Sequence, residues 1–137
     1  MAKKAYGHRF DGGGSTTTSW KDNWKDGILY IGTYLLCADQ SLEGDVIIKD
    51  GTKYLSEFAF QGCDRITSVS IPQSVECISS GVFSGCTNLK NVVFPYNITE
   101  LYGEMFYNCT SLESVTLPKN LVEFEPYLFY GCSAKHD

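Results

Sequence analysis

A chain of 137 residues with net charge −5 has the length of one domain and no basic surplus with which to displace counterions from phosphates, so nucleic acid is not an expected partner. A hydrophobic share of 43% is enough to fill a core, yet no apolar run approaches the roughly 18–20 residues of a membrane span. The first ten residues carry charge but no apolar stretch, so no signal peptide is expected in this sequence.

Residues 1–19 end in Asp11-Gly12-Gly13-Gly14-Ser15-Thr16-Thr17-Thr18-Ser19 and read as a flexible Gly/Ser/Thr-rich lead. Residues 20–42 change character. Trp20 and Trp24 are expected to cover an edge or end of the core, and Asp26-Gly27 marks a turn. Ile28-Leu29-Tyr30-Ile31 and Tyr34-Leu35-Leu36-Cys37 flank Gly32-Thr33, which predicts a β-hairpin with a type II′ turn.

Residues 43–137 are organised by one phrase, a Phe three residues before a Cys. It occurs at Phe60/Cys63, Phe83/Cys86, Phe106/Cys109 and Phe129/Cys132, and the Cys numbers (86−63, 109−86, 132−109) differ by 23 each time. A step held without slip predicts a stacked solenoid of about four coils. Aligned on it, Val46, Val69, Val92 and Val115 form one row, and Ile48, Ile71, Phe94 and Leu117 the next. Pro72, Pro95 and Pro118 follow and end the strands. Further apolar rows are Thr52/Val75/Ile98/Leu121, Leu55/Ile78/Leu101/Phe124 and, after each Cys, Ile66/Leu89/Leu112. The Val rows predict a parallel sheet along one face. The segments before each Phe are too short for helices and are expected as 3₁₀ or single α-turns. Gly62, Gly85, Asn108 and Gly131, each just before a Cys, are expected in the left-handed conformation. The last coil is expected to lack its closing strand and to leave the edge around Ser114–Leu117 open.

The phrase Ile71-Pro72-Gln73-Ser74-Val75-x-x-Ile78, continuing to Phe83-x-x-Cys86-x-x-Leu89, resembles the BspA-like (Treponema-type) subclass of leucine-rich repeats. Trp24-Lys25-Asp26-Gly27-Ile28-Leu29-Tyr30-Ile31-Gly32 is similar to the lead-in between blocks of such repeats. The resemblance implies a mainly β leucine-rich-repeat solenoid preceded by a hairpin, a place at the cell surface or outside the cell, and adhesion to host or cell-surface proteins. It brings no catalytic residue, cofactor or metal. The usual repeat asparagine falls at Ser74, Asn97 and Asn120 with its following apolar residue one place early, so an asparagine ladder is not assumed.

The residues themselves point the same way. One Cys per coil is not the short paired spacing of a zinc site, so the ladder thiols are expected as small apolar core groups. Cys37 and Cys77 lie off the ladder; Cys77 is expected to face outward as the reactive thiol, and pairing of the two stays open. The only histidines, His8 and His136, sit near the termini, and no nucleophile–base arrangement is present, so the chain is not expected to be an enzyme. The candidate partner-binding surface is the outward strand face, Ser68, Ser70, Asn91, Val93, Ser114 and Thr116, which is small, polar and uncharged. It suits a protein partner or a plain solvated sheet. The alternative role is structural: self-association or docking through the open C-terminal edge.

Overall fold

In the computed structural model, residues 20–132 are described. A 3₁₀ turn, Trp20–Asn23, leads into β1 (Trp24–Lys25), β2 (Ile28–Ile31) and β3 (Tyr34–Ala38). β2 and β3 pair antiparallel with Ile31 opposite Tyr34, so Gly32-Thr33 is the two-residue loop, and Gly32 holds φ 61° as a type II′ turn requires. Trp24 lies on β1, the outermost strand of that sheet, with Trp20 edge-on at 6.5 Å, so the two indoles do border the N-terminal edge.

The chain then winds through β4 (Gly44–Ile47), β5 (Tyr54–Leu55), β6 (Ile66–Ser70), β7 (Cys77–Ile78), β8 (Asn91–Val93), β9 (Glu100–Leu101), β10 (Ser114–Thr116) and β11 (Glu123–Phe124). The even-numbered strands stack parallel in the order β10-β8-β6-β4, with Val69 opposite Val46 and Val92, and Val92 opposite Val115. This is the sheet the Val rows foretold. The odd-numbered strands from β3 on form a second parallel stack, divided into β3-β5-β7 and β9-β11, over residues expected only as an apolar row. β7 lies on β5, β5 on β3, and β11 on β9. The hairpin is therefore continuous with the solenoid, since its β3 supplies the first layer of the second stack.

The third side of each coil departs from expectation in its hydrogen bonds. The i+3→i turn bonds exist, as in Ala59 to Ser56, Gln61 to Phe58 and Cys63 to Phe60 at 3.0–3.1 Å. They occur only at every second residue. The residues between them donate to the next coil: Phe58 to Ser80, Phe60 to Val82 and Gly62 to Ser84, at 2.9–3.0 Å. A 3₁₀ or α-turn would use each donor within its own coil and orphan the carbonyls of the neighbour. Sharing donors satisfies both coils. Asn108 and the three glycines of its row hold φ of 73°, 75°, 58° and 84° at residues 62, 85, 108 and 131, as the register predicts.

The position not assumed to be a ladder does form one. Ser74 Oγ donates to Thr52 O at 2.8 Å, Asn97 Nδ2 to Val75 O at 3.5 Å and Asn120 Nδ2 to Tyr96 O at 3.0 Å.

The rows fill the core in coils 1 to 3 (46–63, 69–86 and 92–109). Phe60, Phe83 and Phe106 are fully buried, with ring centroids 5.6 and 5.8 Å apart. In coil 4 (115–132) the same rows meet solvent: Leu117, Phe124 and Phe129 are 39%, 58% and 40% exposed. Phe129 still stacks on Phe106 at 5.3 Å, so its inner face is covered and its outer face is not. β10 is the last strand of its sheet among the described residues. The lead at 1–19, His8 and His136 lie outside the described residues.

Candidate interaction surfaces

The thiol ladder is a packed device. Cys86 Sγ donates to Phe60 O at 3.2 Å, Cys109 Sγ to Phe83 O at 3.1 Å and Cys132 Sγ to Phe106 O at 3.1 Å. Each thiol thus satisfies a backbone carbonyl of the preceding coil from within the core. Burial, reinforced by Cys109 and Cys63 on either side, pushes the Cys86 thiol well up. Burial with Cys132 nearby pushes Cys109 up to about 12, and burial raises the half-buried Cys132 as well. None of the six cysteines is in a disulfide; Cys37 is buried and Cys77 exposed. Cys77 faces outward as expected.

The structure brings the six strand-face residues into two registered lines. Ser68, Asn91 and Ser114 are opposite one another across β6, β8 and β10, and Ser70, Val93 and Thr116 form the line beside them. The outer line extends to Ile47 on β4, which is 78% exposed, while Val93 is 54% exposed. Ser68 Oγ donates to Asp45 at 2.8 Å, which ties down one end of the inner line. Alternation sends the intervening Val69 and Val92 into the core, so the face is a shallow strip of small side chains with two exposed aliphatics.

The second stack presents a different surface, which the sequence reading passed over. Its outward row runs Tyr34, Tyr54, Cys77 along β3, β5 and β7, then Glu100 and Glu123 along β9 and β11. Tyr34 and Tyr54 stack at 4.6 Å. The Tyr102 hydroxyl donates to the Glu100 carboxylate, and this bond holds the phenol proton and pushes its pKa up to about 12. Lys53 meets Glu76 at 3.5 Å across coils 1 and 2, an exposed pair worth little to stability. Among the described residues no group of His, Cys, Asp and Glu is arranged to hold a metal ion, and no helix is long and apolar enough to cross a membrane.

The profile of the family described as "BspA type Leucine rich repeat region" matches residues 17–135 in six copies. The chain belongs to the BspA-type leucine-rich repeat family. The match reaches back to residue 17, over the hairpin. Among solved structures, this BspA-type chain is similar to a leucine-rich repeat protein from Bacteroides ovatus, with 25% identity and a TM-score of 0.69 over 81% of this chain. It spans 33% of that protein's length. The T. pallidum leucine-rich repeat protein (TpLRR) matches at 18% identity and a TM-score of 0.38, over 66% of this chain and 72% of its own. One from Eubacterium ventriosum matches at 16% and 0.32, over 82% of this chain and 51% of its own. A comparison with curated proteins returns no match. A BspA-type repeat scaffold is a protein-interaction architecture, and the question left by the family is which face makes the contact.

Proposed function

We propose that the chain is a non-enzymatic adhesion module of a surface or secreted bacterial-type protein, binding a host or cell-surface protein. The observation that supports this most is the registered strand face, where Ser70, Val93 and Thr116 stand in line on a parallel sheet. Rigid presentation lowers the ordering cost of binding. The experiment is surface-plasmon binding to a panel of purified matrix and cell-surface proteins. At least one partner is expected to bind at micromolar concentration or below, and Ser70→Arg/Thr116→Arg is expected to weaken it by about tenfold or more through buried charge and steric block. Absence of any partner, or an undiminished affinity in the double variant, counts against this face.

A second reading is assembly through coil 4, supported by the exposure of Leu117, Phe124 and Phe129 beside β10, the last strand of its sheet among the described residues. Light scattering on concentrated protein is expected to show association that Phe124→Lys abolishes. A monomer at every concentration contradicts it.

A further inference from the structure

The outward side of the second stack is uneven in a way the register explains. Successive coils place Tyr54, Cys77 and Glu100 in one row, Ser56, Ser79 and Tyr102 two residues on, and Phe58, Gly81 and Glu104 two further. Coil 2 is small in all three rows, whereas coil 1 carries Tyr54 and Phe58 and coil 3 carries Glu100, Tyr102 and Glu104. The result is a valley of about 560 Å³ over Cys77, Ser79 and Ser80, closed at the Gly81 end by the Phe58 ring. It lies where β7 ends one sheet and β9 begins another.

Phe58 forms one wall. Its ring lies over Gly81, where an added Cβ would sit 2.2 Å from it, so only glycine fits beneath. Tyr102 forms the other wall, and the hydroxyls of Ser79 and Ser80 line the floor. Glu57, Glu104 and Glu125 are among the residues that line the valley. Glu125 reaches in from coil 4, its Oε1 3.3 Å from where a Gly103 Cβ would stand. A neighbouring depression of about 380 Å³ adds Glu100 and Glu123. Among the described residues no lysine or arginine lines either hollow. Lys53, on a flanking row, is paired with Glu76.

We propose that this valley binds an extended, lysine- or arginine-bearing segment of a partner protein. The inference rests on the reading of the chain as a protein-interaction module and adds a second contact face to it. Carboxylates only accept hydrogen bonds, and an ammonium or guanidinium supplies the donors and the charge they lack. The aromatic walls supply cation–π and stacking surface. The floor hydroxyls suit peptide N–H and C=O groups. In an extended segment every second side chain faces the sheet, so basic residues at alternate positions fit best.

The test uses fluorescence anisotropy with the whole chain and two labelled decapeptides, one alternating lysine and serine, the other glutamate and serine. The lysine peptide is expected to bind and the glutamate peptide not to. Glu57→Gln/Glu104→Gln/Glu125→Gln is expected to weaken the lysine peptide by about tenfold or more. Tyr102→Ser is expected to weaken it further. A charge-matched control, Glu43→Gln/Asp50→Asn/Glu113→Gln, changes exposed acids away from the valley and is expected to have little effect. Equal losses in the two triple variants, or no preference for lysine, overturn the proposal. Melting curves confirm that the variants fold. A protein partner that still binds the valley variant unchanged removes the valley and leaves the adhesion reading standing, whereas peptide binding without any protein partner does the reverse.

Discussion

Phe83→Ala is expected to lower stability by about 3–5 kcal/mol, and Phe129→Ala by about 1 kcal/mol. Both residues occupy the same row, so the sequence treats them alike. Phe83 has a ring above and a ring below, and it is fully buried. Its removal deletes two stacks and leaves a cavity between rigid coils that cannot close without breaking their shared hydrogen bonds. Phe129 has one stacked neighbour and is 40% exposed, so its truncation opens no enclosed void. A small domain has only about 5–15 kcal/mol in total, so the first change is expected to be visible as a large fall in the urea midpoint. Equal effects at the two positions show that coil 4 is covered in solution. No effect at either shows that the row is not core.

The second large effect concerns the thiols. Cys77 is expected to react with a thiol reagent at the rate of an exposed cysteine, and Cys86 and Cys109 at least about a thousandfold more slowly, because they must wait for the coils to open. Mass spectrometry of singly labelled protein identifies which thiol reacts first, and early labelling of Cys86 or Cys109 refutes the packed ladder. The same burial has a pH consequence. Cys109 keeps its proton to about pH 12 in the folded chain, against 9.0 for an ordinary thiol. Between those values the folded state binds more protons than the unfolded state. The stabilising contribution is therefore complete below about pH 9 and is lost as pH rises towards 12. Cys86 is shifted in the same direction. Each such thiol steepens the alkaline fall by about 1.4 kcal/mol per pH unit in that window. Urea titrations at pH 8 and pH 10 are expected to show this loss, and Cys109→Ala to reduce it; an unchanged pH dependence in the variant speaks against the buried thiol as its source.

The surfaces differ in how far they can be read in advance. The strand face followed from the alternation around Val69, Val92 and Val115, because period two assigns each neighbour a side once the core row is known. The valley did not. Of its lining only Cys77 lies on a strand, the two-residue Cys77–Ile78; the others sit beyond the strands, where no periodicity shows, and its depth depends on side chains from four coils at once. Only the pairing of Tyr54 with Cys77 reveals that a large residue stands beside a small one on the same surface.

The sequence by itself determined the coil: its 23-residue length, its core rows, the left-handed residue before each Cys and the hairpin ahead of it, because each is carried by residue types recurring at a fixed step. Tertiary structure alone decided what the backbone does between the rows. Whether Phe58, Phe60 and Gly62 donate within their own turn or across to Ser80, Val82 and Ser84 depends on carbonyls a whole coil away. It also decided that Leu55, Ile78, Leu101 and Phe124 mark a second stack, that Ser74 can do the work of an asparagine, and that the last Phe of the ladder is half in water. These are properties of neighbours in space, and a repeat written along one chain does not say how far each coil lies from the next.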